Sequence, residues 1–280
     1  MKLVAAINNA YKQLKKNNIK SALLDSELLI SKAINKKREF VILNLEKDID
    51  KKDYLYFKKL VIERSKGKPI AYLTGKKSFW KYQFYIDKNV LIPRPDTEII
   101  IEQVLKIYKN KDYINFLEIG VGSGCIALSI LKEKKSFLGT GVDLSQDCIE
   151  ISRYNAKKLG VRNRIKLFKS DVDNLIFRKY DLIISNPPYI KKLDISKLDK
   201  DVKDYEPKLA LDGGLEGLSV IKKVIKKSTE LIKINGKLIL EIGYDQRETV
   251  KKMLIENNFY VNRTVKDLAK NDRCIISTKI

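Results

Sequence analysis

From residue 93 onward the chain alternates between short apolar runs and helical patterns, and this alternation limits the possible folds more than any other feature. Each run has the length and β-branched content of a buried strand. Strands that alternate with helices form a parallel sheet covered on both faces. The predicted strands are Ile114–Ile119, Phe137–Val142, Ile165–Phe168, Leu182–Ser185, Lys237–Ile242, Phe259–Val261 and Cys274–Thr278. We therefore predict an α/β domain over residues 94–280 with a mostly parallel seven-stranded sheet, its last two strands pairing antiparallel at one edge.

The preceding residues show a different pattern. Residues 1–75 carry apolar positions at helical spacing and no strand alternation, which predicts a small helical bundle in which Asp53 caps a helix. Residues 76–93 contain an aromatic run at 79–86 and the turn formers Asp87, Lys88 and Asn89, which predicts a β-hairpin linker. Asp96 is expected to cap the first helix of the α/β domain.

Composition excludes several kinds of chemistry. The chain of 280 residues has no histidine and three widely spaced cysteines, so a zinc site or a Ser-His-Asp triad is not expected. We predict no bound metal. No apolar run reaches the roughly 18–20 residues of a membrane span, so we expect a cytoplasmic protein without membrane contact. The net charge of +22 is consistent either with a nucleic-acid or ribosome-associated partner or with a lysine-rich compositional bias.

Three alternating glycines follow the first predicted strand of the α/β domain. Gly120, Val121, Gly122, Ser123 and Gly124 lie between this strand and a predicted helix. Glycine allows the backbone to approach a ligand closely, and the helix N-terminus offers free N–H groups. The spacing differs from both the dinucleotide fingerprint and the P-loop. The segment therefore predicts either a nucleotide-like cofactor site or an ordinary tight turn.

Acidic residues at the ends of successive predicted strands favour the cofactor site. Asp143 follows the second strand, where its carboxylate can accept both hydroxyls of a ribose, and Asp171 follows the third, where it can accept from an adenine amino group. Together these residues resemble the S-adenosyl-L-methionine pocket of Rossmann-like methyltransferases. In such a pocket Glu118, at the end of the first strand, is expected either to orient the loop or to hold the methionine ammonium group. Ligands of such sheets gather at the carboxyl ends of the strands.

The most specific motif is Asn186-Pro187-Pro188-Tyr189, directly after the fourth predicted strand. The prolines cannot donate to a sheet and leave carbonyl oxygens free to accept hydrogen bonds. A planar NH₂ group could donate to Oδ1 of Asn186 and to the carbonyl of Pro187. Such a pair of acceptors stabilises the positive charge that grows on an amide or amine nitrogen during methylation. The alternative is a plain turn that ends a strand.

Several segments together closely resemble one family over essentially the whole chain. The motif above is shared by DNA adenine, rRNA guanine and glutamine N-methyltransferases. The segments Leu91–Glu98, Glu206–Leu218 and Asp267–Arg273, with the N-terminal helices and the aromatic hairpin, resemble the peptide chain release factor glutamine methyltransferases, the HemK/PrmC family. The resemblance implies a Rossmann-like class I methyltransferase domain that uses S-adenosyl-L-methionine.

The resemblance also implies roles for individual residues. It places S-adenosyl-L-methionine on Gly120–Gly124, Asp143 and Asn186, with Val172 against the adenine, and it places the target glutamine on Asn186–Tyr189. The target would be the Gly-Gly-Gln tripeptide of class 1 release factors, gripped by the N-terminal bundle. Arg94, Thr97 and Glu98 either shape the pocket mouth or start the following helix.

Two other functions stay open at this stage. One is nucleic-acid N-methylation, which the charge and the Asn-Pro-Pro-Tyr motif would suit, although no separate target-recognition domain is visible. The other is a non-enzymatic module that binds release factors or ribosomes. We favour glutamine methylation by a monomer that does not require contact with nucleic acid.

Overall fold

The computed structural model describes residues 1–175 and 179–280, which form two compact units. The first unit combines Met1–Lys76 with the distant segment Asp199–Tyr205, and the second comprises Lys77–Leu198 and Glu206–Ile280. Among the described residues, no helix is long and apolar enough to cross a membrane. The predicted division into 1–75, 76–93 and 94–280 stays a prediction, because compactness alone does not show where independent domains end.

The first unit is helical, as predicted. Its helices are α1 (Leu3–Lys16), α2 (Ala22–Ala33), α3 (Arg38–Leu43), α4 (Lys51–Ser65), α5 (Ile70–Thr74) and, from the distant segment, α9 (Lys200–Tyr205). The apolar stripes of the longer helices meet in one core that includes Leu14, Leu29 and Phe57. The prediction that Asp53 caps a helix is wrong, because α4 begins two residues earlier and Asp53 lies in its first turn.

A two-stranded hairpin opens the second unit, but it lies earlier in the chain than predicted. Strands β1 (Lys76–Phe79) and β2 (Tyr82–Tyr85) are joined at Trp80, which adopts a left-handed backbone conformation with φ of 55°. The turn formers at 87–89 do make a turn, in which Asn89 N–H donates to Asp87 Oδ1 at 2.9 Å, but this turn does not join two strands. The aromatic run predicted as a single strand is interrupted by the hairpin turn.

The second unit contains the predicted seven-stranded sheet. Its strands are β3 (Asn115–Ile119), β4 (Leu138–Asp143), β5 (Ile165–Lys169), β6 (Tyr180–Ser185), β7 (Ile232–Glu241), β8 (Phe259–Lys266) and β9 (Asp272–Lys279), in the order β5-β4-β3-β6-β7-β9-β8. The first five strands in this order pair in parallel, whereas β9 pairs antiparallel with both β7 and β8. The predicted fold class and antiparallel edge are therefore confirmed.

Helices alternate with the strands, beginning before β3, and pack their apolar faces on the sheet. They are α6 (Glu98–Ile107), α7 (Cys125–Glu133), α8 (Gln146–Lys158), α10 (Ser219–Leu231) and α11 (Arg247–Glu256). The buried side of α10 packs with β6 and β7 in one core cluster that includes Ile221, Ile183 and Leu238. Asp96 does not cap α6 as predicted, because it lies inside a 3₁₀ turn that precedes the helix.

Candidate active site

The sheet register brings the predicted site segments together at the carboxyl ends of adjacent strands. Ile119 of β3 pairs with Val142 of β4 on one side and with Ser185 of β6 on the other, and Ser185 also pairs with Leu240 of β7. The residues one step beyond these positions are, in sheet order, Asp143, Gly120, Asn186 and Glu241. The glycine loop therefore lies between Asp143 and the Asn-Pro-Pro-Tyr segment, at the sheet edge where ligands of α/β proteins bind.

The glycine loop adopts a conformation that requires glycine. Gly120, Gly122 and Gly124 have φ of 78°, 52° and 81°, which are left-handed values that other residues rarely adopt. A Cβ atom added at Gly120 or Gly122 would meet no atom within 4 Å, whereas one at Gly124 would lie 2.8 Å from Cδ1 of Leu128. The first two glycines thus border open space into which a side chain would project, and the third allows close packing against α7.

Asp143 holds the loop in place. Its Oδ2 accepts a hydrogen bond from Gly122 N–H at 2.8 Å, and its Oδ1 accepts from Ser145 N–H at 3.0 Å. Burial raises the pKa of this carboxyl, while the same two N–H groups lower it. Each carboxylate oxygen has further acceptor capacity, so the two backbone bonds leave room for two hydroxyl donors.

Glu118 is fully buried beneath the loop. Its Oε2 accepts from Ala127 N–H at 2.8 Å, in the first turn of α7, so it satisfies one of the free N–H groups at that helix N-terminus. Burial raises the pKa of this carboxyl well above its ordinary value. Of the two expectations for Glu118, this geometry fits the orientation of the loop and its helix.

Asp171 and Val172 follow β5, on the far side of Asp143. Oδ1 of Asp171 accepts from Asp173 N–H at 3.1 Å and caps a short 3₁₀ turn. The two strand ends are linked because Ser170 N–H donates to the carbonyl of Asp143 at 2.9 Å. Val172 is half-buried and packs against the core cluster of the second unit. Both residues thus lie next to the strand end that carries Asp143, and their contact with adenine stays a prediction.

The Asn-Pro-Pro-Tyr segment is fixed at both ends. Before it, the hydroxyl of Ser185 donates to the carbonyl of Ile119 at 2.7 Å, which ties β6 to the strand that carries the glycine loop. After it, Nε2 of Gln246 donates to the carbonyl of Tyr189 at 3.0 Å, and Ile190 N–H donates to the carbonyl of Leu211 at 3.2 Å. The segment is therefore a rigid part of the sheet edge.

Two acceptor atoms in this segment receive no hydrogen bond from the described residues. The side-chain amide of Asn186 donates through Nδ2 to the hydroxyl of Thr97 at 3.3 Å. None of the described residues donates a hydrogen bond to Oδ1 of Asn186 or to the carbonyl oxygen of Pro187. Two unused acceptors therefore lie on neighbouring residues beside the glycine loop, as a bound NH₂ group would need.

Sequence reasoning missed one buried carboxyl in this region. Glu241, at the end of β7, is only 1% exposed, and its Oε1 accepts from the hydroxyl of Tyr189 at 3.1 Å. Burial raises the pKa of Glu241 to about 7. The sequence does contain a feature that could have indicated Glu241. The tetrapeptide Leu-Glu-Ile-Gly occurs at 117–120, where the glycine loop begins, and again at 240–243.

The residues before α6 have structural partners. Arg94 Nη2 pairs with Oε1 of the buried Glu206 at 2.5 Å, and Glu98 Oε1 accepts from Trp80 N–H at 2.7 Å. These contacts favour the structural alternative for Arg94 and Glu98, whereas Thr97 faces the site through Asn186. Within residues 1–175 and 179–280, no group of three or more acidic or cysteine side chains could hold a metal ion.

This strand order, with a glycine loop after its central strand, is that of a Rossmann-like class I methyltransferase domain. Family models match the chain as "PrmC N-terminal domain" over residues 5–75 and "Methyltransferase small domain" over residues 96–202. Proteins named release factor glutamine methyltransferase are similar along the whole chain. The one from Clostridium acetobutylicum is 37% identical over 100% of this chain and 99% of its own length, and the one from Caulobacter vibrioides is 33% identical over 99% and 96%. The chain belongs to the release factor glutamine methyltransferase family.

Solved structures of more distant proteins share the fold. A methyltransferase from Pyrococcus furiosus matches with a TM-score of 0.54 at 20% identity, over 70% of this chain and 88% of its own. The ribosomal protein L11 methylase from Lactobacillus delbrueckii subsp. bulgaricus matches with a TM-score of 0.52 at 16% identity, over 72% and 89%. At these identities the similarity concerns the fold alone.

Proposed function

We propose that this protein transfers a methyl group from S-adenosyl-L-methionine to the side-chain amide nitrogen of the glutamine in the Gly-Gly-Gln tripeptide of class 1 peptide chain release factors. The observation that carries the proposal is the pair of unused acceptors, Oδ1 of Asn186 and the carbonyl of Pro187, beside the glycine loop. The names of the full-length relatives agree with this substrate.

The described residues fit the cofactor. The open space over Gly120 and Gly122 lets a ligand approach the backbone, and the N-terminus of α7 lies directly behind them. Asp143 would accept the ribose hydroxyls while it holds Gly122, and Asp171 and Val172 would contact the adenine. Glu118 supports the loop from below, and Val121, Ser123 and Gly124 complete it. When bound, the cofactor supplies an electrophilic methyl group on a sulfonium.

The acceptor pair addresses the weak nucleophilicity of the target. The lone pair of an amide nitrogen is delocalised, so its attack on carbon develops positive charge on nitrogen. Oδ1 of Asn186 and the carbonyl of Pro187 would each accept one N–H of the substrate, orient the nitrogen and stabilise that charge. Pro188 cannot donate a backbone hydrogen bond and fixes the loop. Tyr189, half-buried and donating its hydroxyl to Glu241, would offer a flat face to the substrate amide.

Partner recognition and location are further parts of the proposal. The helical first unit would bind the release factor. The enzyme would act as a monomer in the cytoplasm, where translation terminates. Recognition of a protein substrate would not require contact with nucleic acid. The net charge of +22 favours a test of nucleic acids as competing substrates.

The test is a methylation assay with purified protein, a class 1 release factor and methyl-labelled S-adenosyl-L-methionine. We expect label on the glutamine of the Gly-Gly-Gln peptide, and we expect none in a release factor with that glutamine changed to alanine. The variant Asn186→Ala should lose transfer by a factor of about 100 or more, because the substrate nitrogen loses an orienting acceptor. Its affinity for the cofactor, measured by calorimetry, should be retained.

Other results would contradict the proposal. Label on ribosomal RNA or DNA at comparable rates, with an unlabelled release factor, would replace it with nucleic-acid methylation. Loss of cofactor binding in Asn186→Ala, rather than loss of transfer, would contradict the role given to Asn186.

A further inference from the structure

Thr97 lies between Asn186 and the buried Glu241. Its side chain is 2% exposed, and its Oγ1 accepts from Nδ2 of Asn186 at 3.3 Å. Glu241 accepts from Tyr189 through Oε1, while its Oε2 is buried and has no partner in hydrogen-bond geometry among the described residues. Asn186 and Glu241 directly follow Ser185 and Leu240, which pair in neighbouring strands, so Thr97, in contact with Asn186, lies at the strand end next to Glu241. The hydroxyl of Thr97 lowers the pKa of Glu241.

The hydroxyl of Thr97 has a single hydrogen, and this limits the possible arrangements. An ionised carboxylate can only accept, so it attracts that hydrogen. With its hydrogen directed at the carboxylate, Oγ1 of Thr97 can only accept from Asn186. Asn186 must therefore direct its NH₂ group toward Thr97. Oδ1 of Asn186 consequently lies on the opposite side of the amide, where no described residue donates to it.

A neutral group at position 241 would relax this constraint. A protonated carboxyl can itself donate to Oγ1 of Thr97, which frees the threonine hydrogen to donate to Asn186. The amide of Asn186 could then rotate by half a turn and present Oδ1 to Thr97. In that orientation Nδ2 would face the substrate NH₂ group, and two donors would oppose each other.

We propose that Glu241 and Thr97 are positioning residues that fix the side-chain amide of Asn186 with Oδ1 toward the substrate nitrogen. This inference rests on the proposed function for its catalytic consequence, but the orientation of the amide is a property of the protein alone. Neither residue needs to touch the substrate.

Several charged and titratable groups face Glu241. Tyr189 and Thr97 lower its pKa through their hydroxyls, Arg273 lowers it through its positive charge, and Asp96 raises it. Burial and the charge of Glu241 both raise the pKa values of the thiols of Cys125 and Cys274. Burial outweighs the contacts that favour the ionised form and raises the pKa of Glu241 to about 7.

The activity test uses three variants of the full chain. Glu241→Gln makes position 241 neutral, Thr97→Val removes the hydroxyl at nearly constant shape, and Thr97→Ser keeps the hydroxyl. We expect kcat for release factor methylation to fall by about 100-fold in Glu241→Gln and Thr97→Val, with the affinity for cofactor unchanged, because a misoriented acceptor costs about this much. Thr97→Ser should stay within about threefold of the natural protein.

The pH profile separates this role from a merely structural one. The natural protein and Thr97→Ser should lose kcat as the pH falls through about 7, where Glu241 takes up a proton. Glu241→Gln should be slow at all pH values and show no such transition. Natural kcat and an unchanged pH profile in Glu241→Gln would overturn the inference.

A second readout does not depend on catalysis. The ¹⁵N-labelled side-chain amide of Asn186 should show an NMR transition near pH 7 in the natural protein and in Thr97→Ser, and none in Glu241→Gln. A signal of Asn186 that ignores pH in the natural protein would overturn the inference even if the release factor is a good substrate. A clear transition in a protein that fails to methylate the release factor would support the inference and contradict the proposed function instead.

Discussion

At the scale of single residues, two buried glutamates lie near the carboxyl ends of two strands of the same sheet. Glu118 is the penultimate residue of β3 and Glu241 is the last residue of β7; each lies within a Leu-Glu-Ile-Gly segment and is 1% exposed. Glu118 accepts from the backbone of α7, whereas Glu241 accepts from the side chain of Tyr189. The same tetrapeptide therefore supports a helix N-terminus in one place and a hydroxyl network in the other.

Glu241 should make the stability of the protein depend on pH. Its folded-state pKa, about 7, lies above the ordinary value of 4.5, so the folded chain binds this proton more tightly than the unfolded chain. The stabilisation is complete below the ordinary pKa and is lost as the pH rises through about 7. Relative to Glu241→Gln, the natural protein should lose roughly 2–3 kcal/mol of unfolding free energy between about pH 5 and about pH 8.

Denaturant unfolding of both proteins across this pH range measures the effect. The variant Glu216→Gln, which removes an exposed carboxyl, is the control and should follow the natural curve. If the unfolding free energies of the natural protein and Glu241→Gln change with pH in parallel, the pKa of Glu241 in the folded protein is not raised to about 7.

At the scale of elements, the turn between β3 and α7 depends on Gly124 for packing as well as for conformation. Gly124→Ala combines a left-handed φ of 81° with a Cβ 2.8 Å from Leu128, whereas Gly160→Ala meets a similar φ of 71° in open space. We expect Gly160→Ala to cost about 1 kcal/mol and Gly124→Ala about 2–4 kcal/mol, because only the second overpacks the core.

Thermal and denaturant unfolding of the two alanine variants check this difference. Equal losses would mean that Leu128 moves away without cost. A smaller loss in Gly124→Ala than in Gly160→Ala would contradict the described geometry of the turn.

The elements also show what the sequence could predict. The strands and the glycine loop were predicted because local apolar runs and glycine spacing determine them. The hairpin was placed wrongly because its aromatic residues fit a strand equally well on either side of Trp80. The contact of Asn186 with Thr97 joins residues 89 positions apart, so it depends on the order of strands and could not be read from either segment alone.

At the scale of the whole molecule, the first unit is discontinuous in sequence. Helix α9 belongs to it, and the hydroxyl of Tyr205 donates to the carbonyl of Lys66 at 3.4 Å. Side chains of α9 also lie within 4 Å of a Cβ built at Gly67. The sequence did not predict this association, because α9 is short, charged and without an apolar stripe.

A buried ion pair provides a test of this unit. Asp25 and Arg64 meet at 2.6 Å, and Arg64 also donates to the carbonyl of Lys68. Asp25→Ala leaves the guanidinium buried without its anion, so it should destabilise the first unit by about 3–5 kcal/mol. Amide hydrogen exchange should then accelerate in α1, α2, α4 and α9 together, with the sheet strands β3–β9 unaffected.

The exposed pair of Glu63 and Lys66 provides the control, because Glu63→Ala should change exchange little. If exchange in Asp25→Ala is faster in the N-terminal helices but unchanged in α9, then Asp199–Tyr205 does not unfold together with the first unit.

The discontinuity also bears on how such enzymes can recombine. A single crossover near residue 76 would replace five helices of the first unit and leave α9 from the other parent. The chimera would then pack α9 of one parent against the N-terminal helices of the other. Exchange of the complete first unit between relatives therefore requires two further crossovers, one on each side of the short helix.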